Sequence, residues 1–203
     1  MKTCIFQCSA LLLLLVCSSF RHPNHVKDDF RPGYYVDSSG KVEGYINFTY
    51  DTYEKFDFKE EPTDKKITKH ATDCDGFSVD GKTFRVIGRI NLKIGIWNVS
   101  AEKAFAEVVV EGPLNLYKVY AMVGNANMRA PGGAEVGNYF LEKANSKRYL
   151  YAPPGKARFR SEMMDFFQDR MDIAEKVDDR RYNFNNIAEM VKDYNSKPCD
   201  TCR

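Results

Sequence analysis

At Pro153-Pro154-Gly155 the spacing of apolar residues in this chain changes from every second position to every third or fourth. No other feature limits the fold as much, because a period of 2 belongs to strands and one of 3.6 to helices. Upstream, Lys41 to Tyr50 reads as a strand through Val42, Tyr45 and Phe48, with Gly44 marking a bulge site. Phe56 and Phe58 alternate with Asp57 and Lys59 in a short half-buried strand, which Glu60-Glu61-Pro62-Thr63-Asp64 breaks. Asp80-Gly81 between GFSV and TFRVI predicts a hairpin with a type I′ turn, since both central positions need positive φ. Phe105 to Val110 and Leu114 to Val123 form a second antiparallel pair across Glu111-Gly112-Pro113. Tyr139-Phe140-Leu141 and Tyr149-Leu150-Tyr151 form a third around residues 144–147, and Asn125 to Gly137 reads as an exposed loop.

Downstream, Phe159, Met163, Phe166, Phe167 and Arg170 fall on one helical face. Asp172 with Glu175 predicts a capping box for a second short helix carrying Ile173, Ala174 and Val177. Asn183 or Asn185 starts a third, whose stripe is Ile187, Met190, Val191 and Tyr194, and Asn195-Ser196-Lys197-Pro198 stops it. Strands followed by helices make the fold class α+β: an antiparallel β-rich domain over 33–152, then a C-terminal segment of two or three short helices over 153–195. Residues 196–203 are a tail.

The front of the chain is an address. Met1-Lys2, the apolar run at residues 10–17 and Cys17-Ser18-Ser19 have the layout of a secretory signal, placed at 1–18. The run is shorter than the roughly 20 apolar residues that span a bilayer. Cys17 is the candidate lipidation site of a lipoprotein signal, and a cut after Ser18 is the competing outcome. Residues 19–32, polar with two prolines, form a flexible leader, so the fold is expected to begin at Gly33. The product is exported to the periplasm, outer surface or medium, touching membrane only through a lipid on Cys17.

Hydrophobic content of 43% and aromatic content of 13% suffice for a core, and a formal charge of +2 gives no footprint for nucleic acid or an anionic membrane. Beyond the signal only Cys74, Cys199 and Cys202 remain. Cys199 and Cys202 have CxxC spacing without a helix N-terminus or further ligands, so they are a candidate local disulfide rather than a redox or zinc site, with Cys74 as the alternative partner. His22 and His25 lie in the leader. His70, Asp73, Cys74 and Asp75 make the one compact polar cluster of the body, and read as a hydrogen-bonding loop before the GFSV strand. A Cys74–His70 nucleophile pair is the catalytic alternative, without an orienting partner or a GxSxG elbow. Tyr34, Tyr35, Tyr45, Tyr50, Tyr53, Tyr117, Tyr120 and Trp97 could line a carbohydrate-binding face, although strand aromatics more often fill the core. Asn47-Phe48-Thr49 and Asn98-Val99-Ser100 match the glycosylation acceptor, with chance as the default.

Gly33-Tyr34-Tyr35-Val36, Gly40 to Ile46, Gly76 to Gly81, Phe105 to Gly112, Leu116-Tyr117 and Phe140-Leu141 together resemble a group of exported proteins of Bacteroidetes. Phe159 to Asn195 is similar to that group's helical end. The resemblance implies an envelope or secreted address and carries no activity and no site residues. The expected function is therefore a non-enzymatic binding or structural module of the envelope, with an unknown protein or glycan as partner and no cofactor, metal or catalytic residue. An extracytoplasmic hydrolase centred on His70 and nearby acids is the alternative.

Overall fold

A computed structural model describes residues 29–50, 52–94, 96–123, 134–146 and 148–196. The signal, Cys17, most of the leader, His22, His25, Cys199, Cys202 and the tail after Ser196 lie outside these. Among the described residues ten strands form one antiparallel sheet curled into an open half-barrel. In chain order they are β1 (Arg31–Asp37), β2 (Gly40–Asn47), β3 (Lys55–Lys59), β4 (Ile67–His70), β5 (Gly76–Val79), β6 (Lys82–Ile94), β7 (Trp97–Val110), β8 (Leu114–Val123), β9 (Ala134–Lys143) and β10 (Leu150–Ala152). Their order across the sheet is β10-β9-β8-β7-β6-β5-β1-β2-β3-β4. Helices α1 (Lys156–Phe166), α2 (Met171–Asp178) and α3 (Ile187–Ser196) follow, with a 3₁₀ turn at Phe184–Asn186 before α3. The α+β architecture expected from the period change is present in this form.

Turn chemistry sets the β5–β6 hairpin: Asp80 and Gly81 have φ of 54° and 72°, and Val79 pairs with Lys82. Other local expectations are corrected. The first strand begins at Arg31 rather than Gly33. Gly44 makes no bulge, since it faces Gly33 in an unbroken β1–β2 register. Its hydrogen instead admits the neighbouring β3, where a Cβ would meet the Phe58 ring at 2.5 Å and also the Lys59 carbonyl. His70 ends a strand instead of sitting in a loop. β4 has no alternation to read, because it is an edge strand whose Ile67 is exposed. Its edge is blunted: the Asp73 carboxylate accepts the His70 N–H at 2.9 Å. The segment expected as loop up to Gly137 enters β9 at Ala134.

β6 and β7 make a hairpin far longer than Phe105–Val110. Phe84 and Val86 of β6 join an aromatic cluster with Phe48, Phe56, Phe58, Phe77 and Phe105. Beyond Arg89, Ile90 and Leu92 join a different cluster, with Ala101, Val119 and Phe140. Arg89 has φ of 55°, and the β6–β7 register omits the Arg89–Glu102 pair. The left-handed residue turns the alternation over, so the far half of the hairpin lays its apolar side against β8 and β9. Lys93 N–H donates to Asn138 Oδ1 (2.9 Å) and Phe105 N–H to the Tyr53 carbonyl (2.7 Å), holding the hairpin at both edges.

The third cluster lies under the helices, where Leu114, Leu116, Leu141 and Ala152 meet Phe159, Met163, Phe167, Ile173, Met190 and Val191. The stripe expected for α3 is buried throughout. The Asp172–Glu175 capping box is not formed: Arg170 takes the N-cap position, and Asp172 binds its guanidinium at 2.8 and 3.0 Å. A two-pronged charged pair outcompetes a single cap bond, and Asp172 still lies in the first turn, where the helix dipole favours a carboxylate. The capping box falls one turn earlier than α3, on Asn183 and Asn186.

Candidate functional site

Register builds a polar cluster on the inner face of the sheet. Glu107 of β7 stands opposite Phe84 of β6 and Lys118 of β8, and Lys118 stands opposite Tyr139 of β9. Lys82, two residues before Phe84, and Tyr120, two after Lys118, share that face by the alternation of strand side chains. Tyr50, from the segment after β2, closes over it with its ring 4.4 Å from that of Tyr120. The cluster lies between the aromatic core around Phe77 and the helical core around Leu116.

Its groups converge on one carboxylate oxygen. Lys82 Nζ donates to Glu107 Oε2 at 3.1 Å and approaches the Tyr50 and Tyr120 hydroxyls at 3.4 and 3.5 Å. The Tyr120 hydroxyl donates to the same Glu107 oxygen. Lys118 sets its ammonium 4.2 Å from the Tyr120 ring, and its stem lies over Gly137, where a Cβ would collide with it. The Lys82 side chain is 40% exposed and that of Glu107 16%, so the cluster is open to solvent on one side. Burial works against the Lys82 cation, but the Glu107 hydrogen bond and charge, with Tyr50, outweigh it and hold the ammonium above its usual pKa. Burial, then the Glu107 charge, raises the Tyr139 phenol. Two ammonium groups, one carboxylate and three phenol rings can bind and orient a polar ligand. A lysine held cationic is neither nucleophile nor base.

The expected His70 cluster is dispersed. The imidazole is exposed, the Cys74 thiol points at the His70 backbone carbonyl (3.7 Å), and burial pushes that thiol up to about 11. Asp73 is spent on the His70 N–H and the Thr72 hydroxyl, which hold its carboxyl below the usual range. The eight aromatics do not make one face: Tyr35, Tyr117 and Tyr120 are buried, while Trp97 is exposed at the far tip of the β6–β7 hairpin. Only Tyr50 and Tyr120 of that set meet in the inner-face cluster. Lys82 is brought to Glu107 by the β6–β7 pairing, which has no short-range signal, and Lys118 by the expected β7–β8 pair, whose register is shifted by an irregularity between Val108 and Val110.

A second polar group is a joint rather than a site. Lys143 binds Asp169 at 2.7 Å and the Phe166 carbonyl at 2.9 Å, and the Tyr194 hydroxyl donates to Asp169 at 2.9 Å, tying β9 to the helices. Among the described residues no group of three or more His, Cys, Asp or Glu is placed to hold a metal, and no helix is long and apolar enough to cross a membrane. Comparison with protein-family models, with curated proteins and with solved structures gave no match.

Proposed function

We propose that this chain is an exported, non-enzymatic binding protein of the cell envelope whose ligand is a glycan, held at the Tyr50–Lys82–Glu107–Tyr120 cluster. One observation carries the proposal: the half-buried Tyr50 ring lies 4.4 Å from the buried Tyr120 ring, beside a carboxylate that already gathers a lysine and a phenol, with the Lys82 side chain 40% exposed. The Tyr50 ring offers apolar area to a sugar ring, and the paired donors and acceptors beside it answer its hydroxyls. The candidate nucleophiles argue for binding over chemistry, since Cys74 is buried with a raised pKa and Lys82 is held cationic.

The basic start, short apolar run and small residues of positions 1–19 support the exported address. The resemblance to exported Bacteroidetes proteins supports it too. Cys17 is the proposed lipid attachment point, with cleavage after Ser18 the other outcome, and Cys199–Cys202 a local disulfide. Intact mass of the protein recovered from its native envelope separates a lipid-bearing Cys17 from a free N-terminus near Ser19.

Calorimetric titration of the full chain with glycan fragments of its envelope tests the cluster. Tyr50→Ala and Glu107→Gln are expected to weaken binding at least about tenfold, a loss of roughly 1.4 kcal/mol. Binding unchanged in both variants, or confined to envelope proteins, sinks the glycan assignment.

A further inference from the structure

Ile96 and Trp97 are 87% and 70% exposed, side by side at the tip of the β6–β7 hairpin. We propose that this tip inserts into the interface of an anionic lipid bilayer, a membrane contact independent of any lipid on Cys17 and of the glycan site.

Three observations point to lipid. First, the protruding pair combines an aliphatic side chain with an indole, whose apolar body and N–H suit the boundary between acyl chains and headgroups. A sugar subsite would have no use for Ile96. Second, the hairpin is charged to complement an anionic surface: from Gly88 to Lys103 it carries Arg89, Lys93 and Lys103, all exposed, against the single carboxylate Glu102. Third, the tip is presented on a stiff base. Leu92 is fully buried, and the edges are tied by Lys93 N–H to Asn138 and by Phe105 N–H to Tyr53. A pre-ordered hairpin loses little conformational freedom when it docks.

Trp97 is the only tryptophan of the chain, so its fluorescence reports the tip alone. The full chain is mixed with vesicles of zwitterionic lipid, or of zwitterionic lipid containing anionic lipid. With anionic vesicles at low salt the emission is expected to shift to the blue and resist quenching by acrylamide, and added salt reduces both effects. Ile96→Asp abolishes the shift without changing the melting temperature, because the side chain is exposed. Lys93→Gln weakens vesicle binding read at Trp97 about fivefold. Trp97 emission that stays unshifted while the chain sediments with vesicles overturns the proposal, since binding then runs through another segment. A shift that survives Ile96→Asp overturns it as well, as does protection of Trp97 by envelope protein but not by lipid.

Discussion

Gly44 and Gly33 face each other across β1 and β2, and each lacks a Cβ because a neighbouring strand occupies the space. A glycine inside a strand usually suggests a bulge, yet here the cause is the approach of β3, with the Phe58 ring in the way of any side chain. Gly44→Ala is expected to cost about 2 kcal/mol, read from the urea midpoint at constant slope, because rigid backbone and a buried ring must both move. An unchanged midpoint would mean that β3 is not packed so closely. Other single residues have the same lesson. His70 and Cys74 are four residues apart, but the thiol meets a backbone oxygen while the imidazole faces water. Proximity along a chain does not orient two side chains toward each other; the β4 edge and the turn after it do.

Among elements, the join between α2 and α3 depends on one buried cation. Arg170 pairs with Asp172, donates to the Tyr194 carbonyl at 2.7 Å and places its guanidinium 5.1 Å from the Tyr194 ring. The period placed Arg170 on one helical face with Phe159 and Met163, but α1 ends at Phe166 and Arg170 instead caps α2. The fork geometry explains its position, since it reaches a carboxylate, an unpaired helix-end carbonyl and an aromatic face at once. Arg170→Ala should destabilise the protein by about 2–4 kcal/mol in a denaturant melt, and Arg170→Lys should recover only part of this, because an ammonium lacks the fork. Full recovery in Arg170→Lys would show that charge alone matters. The β6–β7 hairpin is the contrary case. Its far half was illegible because Arg89 turns the strand over, so a single strand carries two alternations of opposite phase.

At the scale of the molecule, three apolar clusters among the described residues share one sheet, and several ionisable groups are wholly or partly buried along with them. Burial raises Tyr117, Tyr182 and Tyr194 to about 12, aided by the charges of Glu142, Asp193 and Asp169 respectively, and raises Cys74 to about 11. Each group keeps its proton longer when folded than unfolded. Their contribution is therefore complete below the ordinary pKa values of 9 and 10 and is lost as pH rises toward 11 and 12. Denaturant melts should show stability falling by on the order of 3 kcal/mol between pH 9 and 11. A flat profile across that range would place these phenols in water.

What the sequence determined by itself is local: the change of period at Pro153-Pro154-Gly155, the Asp80-Gly81 turn, and the stripe of Ile187, Met190, Val191 and Tyr194. Each depends on backbone preferences or on neighbours within a turn or two, so a short window contains the cause. The tertiary structure alone decided that Tyr50, Lys82, Glu107 and Tyr120 meet, that β4 pairs as an edge, and that the far hairpin folds onto β8 and β9. Those outcomes depend on register between strands tens of residues apart, which is settled by the collective burial of clusters that no short window contains.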